Sequence, residues 1–187
     1  VHTVQSTPKI FVAGGLGWNT PVHSSIVSSA DGATWSLVAA SAPFLPRAGL
    51  ALVSHGDALY AIGGESDPNS SPTDHDDIYK SVDGGVNWTA VAAGDRFSPR
   101  KNFSAFSMRN CLWVIGGQAL VSGVPTYYQD VWKTCDNGAS WTRMTETAAF
   151  ATNSSSIAAK SGLRSRSANL SEPNKDPRMR KFGQMPS

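Results

Sequence analysis

An all-β fold, built from one unit repeated about every 53 residues, is predicted for this chain by three observations. Trp35, Trp88 and Trp141 stand 53 residues apart, and so do Phe44, Phe97 and Phe150. Pro46-Arg47 returns as Pro99-Arg100, and Gly-Gly pairs fall at 14–15, 63–64 and 116–117. Between these marks lie four short runs of β-forming residues per unit, with no helical period. Four strands per unit of that length is the arithmetic of a propeller blade.

Taken in order, the first unit is partial. Residues 10–13 read as its second strand, and residues 1–6 are long enough only for the end of its first. The second unit places strands at 50–53, 59–62, 78–82 and 88–91, and the third at 103–106, 112–115, 131–135 and 141–144. The second strand of each unit is expected to stop at its Gly-Gly pair, where positive φ costs glycine nothing. Loops 65–77 and 118–129 follow. Strand alternation puts them on one face with 40–46 and 93–99.

Phe150 is in register to open a fourth unit. Thr152-Asn153 then stands where Pro-Arg is due, and Asn169-Leu170 where Gly-Gly is due. The domain reading is therefore blades over 1–150 and a Ser-, Asn-, Pro-rich basic tail over 151–187, expected to be disordered and solvated. The sharper alternative is a tail that binds acidic partners or anionic lipids. A partial propeller leaves apolar blade faces open, so closure is expected from further blades of a longer protein or from self-association.

Pro46-Arg47, Leu59-Tyr60-Ala61-Ile62-Gly63-Gly64, Asp77-Ile78-Tyr79 and Trp88 recur as Pro99-Arg100, residues 112–117, Asp130-Val131-Trp132 and Trp141. On these residues the chain resembles the kelch-repeat family, of the kind found in the central domain of galactose-oxidase-like proteins, over about residues 8–150. The resemblance implies a partial β-propeller of four-stranded antiparallel blades. It implies no function, because the fold carries many.

A second motif overlies the first. SVDGGVNW at 81–88 and TCDNGASW at 134–141 resemble the Asp-box, and SADGATW at 29–35 is one residue shorter. Asp83 and Asp136 are expected to accept bonds from turn N–H groups, Gly85 and Gly138 to take the awkward φ, and Trp88 and Trp141 to anchor each turn on its sheet. These are structural roles, although Asp-boxes also occur in sialidases and other glycan-handling propellers.

Net charge narrows the partners. Residues 1–159 hold nine Lys+Arg and twelve Asp+Glu, net −3, and residues 160–187 hold seven and two, net +5. A mildly acidic body argues against nucleic acid as a partner. No apolar run of about 18 residues indicates a membrane span.

Cys111 and Cys135 are expected to face each other. In a hairpin with 116 opposite 130, positions 111 and 135 are also opposite, and both cysteines are absent from the matching positions Ala58 and Val82. A cross-strand disulfide and a pair of buried thiols both fit that contact. With Asn-x-Ser/Thr sequons at Asn69, Asn87, Asn102, Asn153 and Asn169, the cysteines favour a secreted or lumenal setting.

Catalytic motifs are missing from the chain, and its four His are not spaced for zinc. No cofactor and no metal are expected. Asp74-His75-Asp76-Asp77 is the richest polar cluster, yet Asp77 recurs as Asp130 and belongs to the blade pattern. The candidate binding residues lie on the loop face: Arg47, Glu65, Asp67, His75, Asp76, Arg100, Tyr127 and Tyr128. For Arg47 and Arg100 two readings compete. One is a ring of cations around a central channel, and the other a structural arginine bonded to nearby carbonyls.

The function expected is a non-catalytic module that presents variable loops to a protein or carbohydrate partner. The alternative is part of a glycan-active propeller enzyme, sialidase-like or galactose-oxidase-like, whose catalytic residues lie mostly outside this chain.

Overall fold

The computed structural model describes residues 8–16, 21–92 and 94–150, and every regular element among them is a β-strand. The expectations for residues 1–6 and for the tail after Phe150 lie outside the described residues. The first blade contains β1 (Ile10–Leu16), β2 (Val22–Ser29) and β3 (Ser36–Ala39), hydrogen-bonded in that order. The second is a four-stranded sheet of β4 (Ala51–His55), β5 (Ala58–Ser66), β6 (Thr73–Ser81) and β7 (Thr89–Ala90). In the third, β8 (Ser104–Met108), β9 (Cys111–Ile115), β12 (Val131–Thr134) and β13 (Thr142–Thr145) form the sheet. A separate ribbon of β10 (Gln118–Val121) and β11 (Val124–Tyr127) rises between β9 and β12. All strand pairs are antiparallel. The molecule is a segment of a β-propeller, as its repeat predicts.

The strand boundaries correct one expectation. In the third blade β9 ends at Ile115, just before Gly116-Gly117, but in the first two blades the strand does not stop at its Gly-Gly pair. In the second blade β5 runs through Gly63-Gly64 with a bulge, and Glu65 and Ser66 still pair with Asp74 and Thr73 of β6. The segments read as loops 65–77 and 118–129 are therefore mostly extended hairpins, the second being the β10–β11 ribbon. Their polar or mixed sequences hid this, because neither hairpin shows the apolar alternation by which a strand is recognised.

Glycine at these pairs has a steric cause. Gly63 has φ +56°, and a Cβ there would lie 2.9 Å from the backbone oxygen of Arg100 in the next blade. At Gly14 the same atom would meet the oxygen of Arg47 at 2.7 Å. Only a residue without Cβ lets the blades approach this closely. The neighbouring amides use the approach: Gly15 N donates to Arg47 O and Gly64 N to Arg100 O, both at 2.9 Å. One sequence mark, Gly-Gly, is thus the socket for another, Pro-Arg.

Strand alternation distributes each blade's side chains to two neighbours. Leu59 and Ala61 of β5 turn toward the first blade and pack with Ile26, Phe44 and Trp88. Tyr60 and Ile62, with Ile78 of β6, turn toward the third blade and pack with Phe97, Leu112, Val114 and Trp141. The aromatic pair is the same at both interfaces. Phe44–Trp88 and Phe97–Trp141 meet edge to face, at 5.8 and 5.1 Å between centroids. The 53-residue spacing of Phe and Trp therefore marks the blade interfaces.

Cys111 and Cys135 form a disulfide across 24 residues. They continue the β9–β12 register in which Val131 faces Ile115 and Thr134 faces Leu112. A cross-link over a loop of that size contributes about 3 kcal/mol.

Candidate functional site

Arg47 and Arg100 each follow a proline, which holds the chain extended as it enters the blade. Arg47 is 2% exposed and Arg100 is fully buried. Arg100 forks onto Asp130 with Nη1–Oδ1 2.6 Å and Nη2–Oδ2 2.9 Å. Its remaining donors go to the carbonyls of Ser98 and Gly116, both at 2.9 Å. Arg47 repeats the arrangement on Asp77, at 2.5 and 3.1 Å, with the carbonyls of Leu45 and Gly63. Phe97 and Tyr128 flank the Arg100 guanidinium at 5.4 and 4.1 Å from their centroids. Of the two readings, the structural one describes this geometry. Both guanidinium groups are buried and are spent on a carboxylate and two carbonyls each. Tyr128 is likewise committed to the bracket, while Tyr127 is 46% exposed on β11.

The acidic run separates into individual pairings. Asp77 is held by Arg47, and Asp76 by Arg96 at 3.3 Å. Glu65 and Asp74 are cross-strand partners, and both meet Lys101 of the third blade. Asp74 Oδ2 also accepts the Leu120 amide at 2.7 Å, tying the β5–β6 hairpin to the β10–β11 ribbon. Asp67 sits apart, exposed in the hairpin turn at φ +49°. His75 Nε2 contacts Ser66 Oγ at 2.9 Å. Burial first, and then the Arg47 charge, lower the His75 pKa below its ordinary value and favour neutral imidazole. Asp77 and Asp76 thus each pair with a different arginine, and Glu65 and Asp74 share Lys101, so the run does not converge on one point.

Sequence reasoning missed Lys101 and Asp74 as the link between hairpins. The available signal was small: Lys101 replaces Ala48 at the same place in the repeat, beside the recurring arginine.

Between the two hairpins lies an open groove of about 550 Å³. Pro72, Thr73 and Asp74 form one wall, Ala119, Leu120 and Val121 another, and Ser98-Pro99 lie at its base. Residues 72–74, 98–99 and 119–121, from three of the four segments expected on one face, thus meet at the groove. Leu120, Val121, Val124 and Tyr127 are exposed on the ribbon.

On the other face the Asp-x-Gly turns are closed by their own side chains. Asp83 Oδ1 accepts from Asn87 N and Ser81 Oγ, both at 2.9 Å, and Ser81 Oγ in turn accepts from Gly85 N at 2.8 Å. Asp136 makes the equivalent set with Ser140, Thr134 and Gly138. Gly85 lies against Ile26 and Val38 of the first blade, and Gly138 against Val91 and Ile78 of the second. Each turn is therefore also an inter-blade contact. Asp31 of the shorter first turn accepts the amides of Ala33 and Thr34 at 2.9 and 2.7 Å.

These amides lower the Asp31 pKa from 3.8 to about 2, and similar bonds hold Asp83 and Asp136 below the ordinary carboxylate range. For a lowered pKa the stabilising contribution is complete above the unfolded value and fades as pH falls through the folded one. Carboxyl-carbon NMR is expected to give Asp31 a midpoint of about 2. A midpoint at the free-aspartate value would show that the turn bonds are not held in solution.

Blades bracketed by Arg–Asp forks, turned by Asp-x-Gly and stacked through Phe–Trp pairs define a β-propeller. The chain belongs to the DUF6242 β-propeller domain family, which matches residues 1–144. Among curated proteins none matches. A similar solved structure is that of YjhT, at 20% identity and a TM-score of 0.55, over 68% of this chain. The chain spans 40% of the YjhT chain. At that identity the likeness is one of fold.

Proposed function

We propose that this segment is a non-catalytic, kelch-type binding module whose working surface is the groove between the β5–β6 hairpin and the β10–β11 ribbon. The observation that supports this reading is a division of labour. Residues repeated in every unit are consumed by brackets, turns and interfaces. The two hairpins differ from each other, one acidic and one apolar-aromatic, and together they flank the groove. A rigid scaffold with divergent loops is the usual basis for recognition. The partner is a protein or a carbohydrate, met in a secreted or lumenal setting that the disulfide and the sequons favour.

A printed array of neutral and sialylated oligosaccharides, together with a tiled peptide array, tests the proposal. The full chain is expected to bind members of one array, and Leu120→Ser with Val121→Ser, both exposed on the groove wall, to weaken that binding at least tenfold without changing the melting temperature. Binding unaffected by both substitutions would move the site off the groove. Turnover of a chromogenic sialoside would replace the binding reading with an enzymatic one.

A further inference from the structure

The groove does not end at its base. Ser98 and Tyr128 line it, and they also line a second hollow of about 280 Å³ on the third blade. Tyr127, Trp132, Arg143 and Glu146 border this hollow, which is aromatic and charged where the groove is aliphatic. Trp132 packs into the core shared with the second blade, so the hollow opens beside an interface formed within the chain. Its chemistry departs from the repeat. One unit earlier, Ser98, Tyr127, Arg143 and Glu146 correspond to Leu45, Asp74, Ala90 and Ala93. The second blade is built without them, so the scaffold does not require them.

Arg143 is positioned in advance. It is the cross-strand partner of Trp132, and its guanidinium carbon stands 5.9 Å from the centre of the indole. The indole is fixed in turn, its Nε1 donating to Asp130 Oδ2 at 2.7 Å. Asp130 is already neutralised by the Arg100 fork, which leaves Arg143 as the exposed cation of the hollow. The Arg143 side chain is 49% exposed and meets Glu146 at 3.5 Å, itself 77% exposed. An ion pair that open contributes little, and a ligand carboxylate can displace it.

We propose that groove and hollow together take an extended peptide, which lays an apolar side chain against Leu120 and Val121 and sets a carboxylate on Arg143. This inference rests on the groove reading and narrows its partner to a peptide. The aliphatic wall decides against a sugar. Pro72, Leu120 and Val121 offer no hydrogen-bonding side chain, and Asp74 is already engaged by the Leu120 amide and Lys101. Sugar hydroxyls buried there would lose water without gaining a partner, whereas a branched apolar side chain would not. At the other end, a carboxylate gains charge-assisted, forked bonds from the guanidinium. That carboxylate belongs either to an Asp or Glu side chain or to a free peptide C-terminus.

Fluorescence anisotropy with the full chain and synthetic peptides is the test. Each peptide of one set holds a Leu and a Glu in a Gly-Ser frame, in both orders, with spacers of increasing length and an amidated end. A parallel set has no Glu and ends in a free carboxylate. A peptide of one set is expected to bind, and its Gln or amide counterpart to bind at least tenfold more weakly. The set that binds names the source of the carboxylate. On Arg143→Gln the acidic peptide and its neutral counterpart should bind equally, while Glu146→Gln should tighten the acidic one. Acidic and neutral peptides that bind the wild type alike would overturn the inference, as would an acidic preference that survives Arg143→Gln. So would the absence of any bound peptide, and oligosaccharide binding in that case would leave the groove reading standing with another partner. Peptide binding lost on Arg143→Gln but indifferent to Leu120→Ser with Val121→Ser would overturn both, by placing the peptide on the hollow alone.

Discussion

Replacing Arg100 by Met is expected to remove about 3–5 kcal/mol of stability, the usual cost of leaving one member of a buried ion pair uncompensated. The reason is local. Asp130 is only 13% exposed at its side chain, and Arg100 supplies both of its charged bonds. The substitution also strips donors from the carbonyls of Ser98 and Gly116. Urea denaturation followed by tryptophan fluorescence reads the loss directly. Adding Asp130→Asn to Arg100→Met removes the stranded charge, so the double variant should be more stable than Arg100→Met alone. Arg100→Lys keeps a charge without the fork and should fall between wild type and Met. A loss below about 1 kcal/mol for Arg100→Met would mean that the bracket is solvated and the cation free for a ligand. That result would restore the channel reading of the repeated arginines.

Truncating Trp141 to Ala is the second large effect, expected at about 3–5 kcal/mol from lost transfer energy and the cavity left behind. Trp141 seals the interface between the second and third blades, against Phe97, Tyr60 and Ile62. Its Nε1 is buried without a hydrogen-bond partner. The ring shape therefore carries its value, and Trp141→Phe should recover most of the loss. Trp88 occupies the same place one blade earlier but donates Nε1 to Gly85 O. Trp88→Phe should accordingly cost about 0.5–1.5 kcal/mol more than Trp141→Phe. Thermal melts of the two Phe variants make the comparison, and equal costs would show that the indole bond adds nothing.

Much of the fold was legible because a repeat fixes equivalence without any knowledge of contacts. Matching Trp35, Trp88 and Trp141 aligns the turns, and matching Gly14, Gly63 and Gly116 aligns the second strands. Pairing 116 with 130 placed Cys111 opposite Cys135, since antiparallel register is a constant sum. The candidate site was less legible. Arg47 and Arg100 admitted two readings because a recurring cation beside a proline has the same sequence whether it faces a channel or a carboxylate. The choice depended on Asp77 and Asp130, each 30 residues away, and on which way the side chain folds. The hairpins read as loops because Glu65, Asp74 and His75 are polar, and in the β5–β6 hairpin ion pairs and hydrogen bonds take the place of apolar alternation.

By itself the sequence determined the unit, its length, its strand order and the residues every blade must share, because these follow from local periodicity and from repetition. Tertiary structure decided where each shared residue spends its chemistry. Gly63 is glycine because the next blade's Arg100 carbonyl lies where a Cβ would be. Lys101 reaches Glu65 and Asp74 because two hairpins from different blades stand side by side. Both are contacts between blades, and a contact between blades is set by how sheets stack, which a one-dimensional pattern records only as a spacing.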